Sequence, residues 1–200
     1  MCQQIRDHKS TESLEQSLDR VNMWIGNCDQ KAGFLLATIG VIMTILFTSD
    51  FMKEVKNAVI KPFLEYWGNQ GNIEFCLVNF LFSICFAATI VLSIISAIYA
   101  LQSISATIDS EQIKSDNPSV VSKSFLFFQT ISSMTYEDFK NHEGIDYQLD
   151  LLSQIYINSK ICTKKFKSYQ KALRLFYVGV IFLAFMFSLY LFIHYEGNEL

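Results

Sequence analysis

Residues 75–101 read FCLVNFLFSICFAATIVLSIISAIYAL, twenty-seven residues without one Asp, Glu, Lys, Arg, His, Gly or Pro. About twenty apolar residues in a helix cross the hydrocarbon core of a bilayer, so this run is long enough to span with some tilt. A helix inside a soluble domain rarely stays uncharged over such a length, because one face must meet water. The run therefore makes the chain a membrane protein.

Two further apolar blocks follow the same logic. Residues 33–48 are bounded by Lys31 and Asp50, and residues 175–193 hold five Phe and two Tyr but no charge. The mean hydropathy of +0.27 averages over these blocks and the charged stretches between them. The fold expected is an all-α membrane protein: three transmembrane helices at 33–48, 75–101 and 175–193, with a helical cytoplasmic lobe at 102–174 between the second and third. Residues 1–32 form a cytoplasmic juxtamembrane helix, 49–74 an external loop and 194–200 an external tail.

Before the first span, residues 1–9 are polar and expected to fray. From Ser10, read as an N-cap with Glu12 in the first turn, Leu14, Leu18, Val21, Ile25 and Cys28 recur at spacings of four, three, four and three. That is the stripe of an amphipathic helix, and nothing up to Phe47 forces a break, so the helix should run on into the membrane. In the external loop, Phe51 to Ile60 suits a short amphipathic helix stopped by Pro62, and Tyr66 and Trp67 suit an interfacial position. The second helix should continue to about Ile108, followed by a linker containing Pro118. Ser124 to Phe128 opens a short apolar element that turns polar at Ser132. Thr135 and Asp138 then have the spacing of a capping-box variant, for a helix reaching about His142. From Asp146 one long helix should run through the lysine-rich stretch into the third span.

Small residues mark two of the spans. Gly33, Ala37, Gly40 and Thr44 recur on one face of the first, and Ser83, Ala87, Thr89, Ser93 and Ala97 on the second. Such stripes let helix backbones approach closely in lipid. They should meet each other within one chain or between copies, and Gly33, Ala37, Gly40 and Thr44 are candidates for packing in a homo-oligomer.

Basic residues set the orientation. Residues 1–32 hold four Lys or Arg, 49–74 three, 102–174 nine, and the tail none. The N terminus should be cytoplasmic and the C terminus external, placing thirteen of sixteen basic residues inside. Lys160, Lys164, Lys165, Lys167, Lys171 and Arg174 crowd the entry to the third span, where topology and contact with anionic head groups account for them.

Catalytic patterns are missing. There is no Ser-His-Asp arrangement, paired carboxylate, HExxH, Gly-rich phosphate loop or metal-ligand spacing. The five cysteines, Cys2, Cys28, Cys76, Cys85 and Cys162, show no disulfide framework and read as reduced or lipid-buried thiols. No ionisable residue lies inside a span, as an ion-coupled transporter would require. The chain reads as a non-enzyme without metal or cofactor.

Three motifs in fixed order carry a family resemblance. Asp29-Gln30-Lys31-Ala32-Gly33-Phe34-Leu35-Leu36 is similar to a D-x-K-A-x-x-L-L signature at the start of a first span. Phe127-Phe128-Gln129-Thr130-Ile131, then Tyr136-Glu137-Asp138-Phe139, is similar to an FF-x-x-I element followed by S-x-x-E-F. A lysine-rich amphipathic helix follows, with Gln154 and Lys164-Lys165-Phe166. In this order the chain resembles the transmembrane effectors of bacterial pyrimidine-cyclase antiphage (Pycsar) systems over residues 12–193, departing from the family pattern at Gly33 and Gln129.

The resemblance implies a defence effector of the bacterial inner membrane. Its functional partner would be a pyrimidine cyclase, and its activating ligand a cyclic pyrimidine mononucleotide, cCMP or cUMP. The outcome would be loss of membrane integrity and abortive infection, with no nucleic acid bound. A conventional cyclic-nucleotide domain is a β-roll, and no strand-like alternation of that length exists here. Candidate ligand contacts are therefore Asp29 and Lys31 at the foot of the first span, Phe127 and Phe128, and Lys164 and Lys165 before the third. An ion pair between Asp29 and a late lysine competes with that assignment. Two other classes remain open: a membrane scaffold without a nucleotide ligand, and a membrane effector of a cyclic-oligonucleotide system.

Overall fold

The computed structural model describes residues 2–48, 52–53, 55–56, 77–106, 120–121, 124–140 and 146–196. Among them no strand occurs, and the helices whose bounds are described are α1 (Cys2–Leu46), α2 (Leu77–Ile104), α3 (Phe128–Ser133), α4 (Tyr136–Lys140) and α5 (Tyr147–Glu196). Three of these, α1, α2 and α5, are long and apolar enough to cross a membrane. The expected elements around Pro62, Tyr66, Trp67 and Pro118, and the end of α4 at His142, lie outside the described residues.

Helix α1 runs unbroken through the charged segment into the apolar block, as its uninterrupted stripe predicts. It begins at Cys2, so Ser10 lies inside the helix and is not its N-cap. Glu12, Glu15, Gln16 and Arg20 carry high enough helix propensity for the polar turns to propagate once the apolar part is formed. The stripe Leu14, Leu18, Val21, Ile25 and Cys28 continues as Ala32, Leu35, Ile39 and Leu46, half-buried at first and buried from Cys28 onward. On α5 the seam repeats every seven residues, at Leu151, Asn158, Lys165, Ala172, Gly179 and Met186. A period near 3.5 keeps one seam turned towards neighbouring helices over many turns.

The chain divides into two compact units, Met1–Lys31 with Gln102–Lys167, and Ala32–Leu101 with Ser168–Leu200. The second unit is the apolar one. Its core has two clusters: Leu46, Val55, Phe82, Cys85 and Met186 in one, and Leu35, Ile39, Ala100 and Ala172 in the other. Within this unit α1 and α5 run parallel, and α2 antiparallel to both. Small residues on α2 and α5 permit close contact. Ser96 Oγ donates to the carbonyl of Ala172 at 2.8 Å, and a Cβ on Gly179 would lie 3.6 Å from Leu92 Cβ. In lipid, where neighbouring chains offer apolar contact as good as leucine does, such fit and interhelical hydrogen bonds hold helices together. The outer surface keeps Phe34, Val41, Val91, Ile181, Phe185 and Phe187 exposed, an apolar extent suited to hydrocarbon rather than water. Of the aromatic residues of 175–193, Tyr177, Phe185 and Phe187 are exposed, whereas Phe176, Phe182 and Tyr190 pack against the core clusters.

The small-residue stripes do not meet within the chain. On α1, Ala37, Gly40 and Thr44 are exposed, and among the described residues no atom beyond the local helix backbone lies within 4 Å of a Cβ built on Gly33 or Gly40. Larger neighbours explain this: Leu35, Ile39 and Leu46 offer more dispersion contact and take the inward seam. On α2, Thr89 and Ser93 are buried together with Ser96 and Ala100, while Ser83 and Ala97 are half-buried and Ala87 is exposed.

Candidate functional site: a polar three-helix node and a strapped carboxylate

The first unit contains the polar chemistry. Its α1 and α5 segments run parallel and are joined by side-chain hydrogen bonds. Gln148 Nε2 donates to Thr11 Oγ1 at 2.9 Å and to Ser10 Oγ at 3.1 Å. The Tyr147 hydroxyl donates to Glu15 Oε1 at 2.9 Å, and Asn158 Nδ2 to Asn22 Oδ1 at 2.9 Å. Trp24 and Phe166 meet edge to face, with centroids 6.2 Å apart. Polar partners at every second turn fix the register of two helices, where an apolar seam alone would permit slippage.

At the end of this seam Lys165 forms the centre of a node. Its Nζ donates to Asp29 Oδ1 at 2.7 Å and to the carbonyl of Ile104 at 2.7 Å. Ile104 is the last residue of α2, so its carbonyl lacks an intrahelical donor and lies at the negative end of the helix dipole. Ser103 Oγ donates to the Lys165 carbonyl at 3.0 Å, and Cys28 Sγ is 3.6 Å from the same hydroxyl. Lys165 is buried while Asp29 is about one-third exposed, so only one charge of the pair is taken far from solvent. A buried ammonium is tolerable with both a carboxylate and a carbonyl on it.

Of the side chains singled out from the sequence, the structure brings Asp29 and Lys165 together as an ion pair. Lys31 and Lys164 are exposed. Phe127 precedes α3 in extended conformation, and its ring lies 5.2 Å from that of Phe128, which is largely exposed. Thr135 begins α4 as its spacing suggested, accepting from the Asp138 N–H at 3.1 Å. Asp138 does not reach back to a backbone donor; it accepts from the Thr135 hydroxyl at 2.8 Å instead.

A second polar group was not singled out. Asp146 caps α5, accepting from Gln148 N–H at 3.0 Å, and one turn later Asp150 is only 1% exposed. Its Oδ2 accepts from the Phe125 N–H at 2.9 Å. Ser153 Oγ accepts from the Val121 N–H at 3.1 Å, and Ser124 Oγ turns the chain by accepting from Leu126 N–H at 3.1 Å. The backbone N–H groups of Val121 and Phe125 thus strap these two residues to the first turns of α5. Among the described residues, Asp150 Oδ1 has no hydrogen-bond partner. In the sequence, an acidic residue in a first helical turn reads as an exposed partner of the helix dipole, so no local signal marks this one as buried.

Comparison with known proteins agrees with the motif order. The family model described as the Pycsar effector protein domain matches residues 13–192. The chain is 32% identical over 187 residues to the Pycsar effector protein GmPycTM of Gulbenkiania mobilis, covering 91% of this chain and 93% of that relative. No solved structure matches. With nearly its whole length matched, and with three apolar helices in the places the motifs require, this chain belongs to the Pycsar effector protein family.

Proposed function

We propose that the protein is the membrane-damaging effector of an antiphage defence system, activated by a cyclic pyrimidine mononucleotide, cCMP or cUMP. A pyrimidine cyclase supplies the nucleotide on infection, and the activated effector impairs inner-membrane integrity, ending in abortive infection. The protein performs no catalysis and uses no cofactor. The observation that carries this reading is family membership over almost the entire chain, joined to three helices long and apolar enough to span a bilayer.

The polar unit is cytoplasmic in this reading, with the N terminus inside and the C terminus external, in keeping with the basic-residue asymmetry. Lys31 and Lys164 supply charge suited to a phosphate, and Phe127 and Phe128 supply faces suited to a base. Asp29 and Lys165 hold the helices in register. The exposed face of Gly33, Ala37, Gly40 and Thr44 packs against a second copy, giving a homo-oligomer in the membrane.

Dye-loaded liposomes containing the purified protein test the reading. Addition of cCMP or cUMP should release dye, and cAMP should not. Retention of dye with both pyrimidine nucleotides would contradict it.

A further inference from the structure

We propose that the apolar unit carries a discrete site for one anionic phospholipid, with Lys171 and Arg174 of α5 and the Tyr99 hydroxyl of α2 on its phosphate. Such a site needs no activating nucleotide, and the orientation proposed above puts it in the cytoplasmic leaflet. Charge balance is the starting point. In the unit formed by Ala32–Leu101 and Ser168–Leu200, the only acid among the described residues is Glu196, at the far end of α5. Lys171 and Arg174 are both exposed, so these two cations have no carboxylate of the unit to neutralise them. They lie one turn apart on one face of α5, where the apolar span begins. At that depth the field of an anionic head group is screened less than in bulk water.

The neighbouring helix turns this charge into a site. Lys171 Nζ lies 5.6 Å from the centroid of the Tyr99 ring, a cation–π approach that draws the ammonium to the seam between α2 and α5. The bond from Ser96 Oγ to the Ala172 carbonyl fixes the two helices at this level. Tyr99 is half-buried, and among the described residues its hydroxyl has no hydrogen-bond partner. A phenol at a membrane–water interface takes its acceptor from that interface. A phosphodiester supplies acceptors only, and the ammonium and guanidinium supply donors only. The acyl chains have a track as well. Ile95 lies one turn from Tyr99 and Val178 two turns from Lys171, on the same edge of the antiparallel pair, and both are exposed. Free phosphate shares the head-group chemistry but has no use for that track, so the occupant is a lipid. Phosphatidylcholine brings its own cation to the phosphate, which favours a lipid with net negative charge such as phosphatidylglycerol.

The test uses the full-length protein in a nonionic detergent and counts, by native mass spectrometry, the lipid retained per chain from added phosphatidylglycerol or phosphatidylcholine. Wild type should retain one phosphatidylglycerol at a concentration about tenfold or more below that needed for phosphatidylcholine. Lys171→Gln with Arg174→Gln should remove this preference. Lys160→Gln with Lys167→Gln deletes the same charge from exposed positions of the same helix and should leave it intact, which separates a site from a diffuse field. Tyr99→Phe keeps the ring beside the ammonium, deletes only the hydroxyl, and should weaken retention by about three- to tenfold. Inorganic phosphate in excess should not displace the lipid. Equal retention of the two lipids by wild type overturns the proposal without recourse to any variant. An equal effect of the two double variants, unchanged retention by Tyr99→Phe, or displacement by inorganic phosphate also overturns it.

Discussion

Lys165 Nζ lies 2.7 Å from Asp29 Oδ1 and equally close to the last carbonyl of α2, so one buried ammonium ties three helices together. The two partners are unequally exposed, and that inequality predicts unequal mutants. Asp29→Ala leaves a buried ammonium with only the Ile104 carbonyl, and should cost about 2–3 kcal/mol, discounted from the cost of breaking a fully buried pair because Asp29 is partly hydrated. Lys165→Met removes the buried charge and should cost about 1 kcal/mol, the loss of one hydrogen bond to a helix terminus. Thermal unfolding of the detergent-solubilised variants checks this, and the reverse order would contradict it.

A charge swap separates the carboxylate from the carbonyl. Asp29→Lys with Lys165→Glu restores an opposite-charge pair but turns a carboxylate towards the Ile104 carbonyl, which needs a donor. Stability should therefore remain below wild type, with less than half of the single-mutant loss recovered. Full recovery in a double-mutant cycle would show that the bond to Ile104 contributes nothing.

Two glycines distinguish inward from outward packing. Gly179 is buried, and a Cβ there reaches ordinary contact distance from Leu92, so Gly179→Ala should be tolerated and Gly179→Leu should destabilise by about 1–3 kcal/mol through overpacking. Gly40 has open space around its Cβ position. Gly40→Leu should leave monomer stability within about 1 kcal/mol but abolish the oligomer proposed above and lower toxicity. Unchanged oligomer size in native mass spectrometry and unchanged toxicity would remove this face from the assembly.

Orientation is open to a direct check. A reporter fused after Leu200 should be external, and one inserted at Asp116 cytoplasmic. A cytoplasmic signal from the tail would overturn the assignment drawn from the basic residues.

The legible parts of this fold were those with long-range periodicity. The stripe from Leu14 to Cys28 and the uncharged runs at 75–101 and 175–193 specify helices by repetition, so they emerge without knowledge of partners. The limits of α1 did not. A serine followed by acidic residues is an N-cap signal, yet cooperative propagation carries the helix past Ser10 to Cys2. The Asp29–Lys165 pair was visible as one of several charge pairings, but its third member is a backbone carbonyl, which has no sequence signature. Which stripe of α1 turns inward depends on comparing two faces with similar spacing, and the larger side chains decide it. Asp150 shows the limit most clearly, since its burial comes from a strap some twenty-five residues earlier.

Membrane potential in cells expressing this chain measures the central claim most directly. A potential-sensitive dye should report rapid depolarisation when cCMP or cUMP is supplied, and no change without nucleotide or with cAMP. An unaltered potential with both pyrimidine nucleotides, in cells where the protein is shown to be membrane-inserted, would contradict the account.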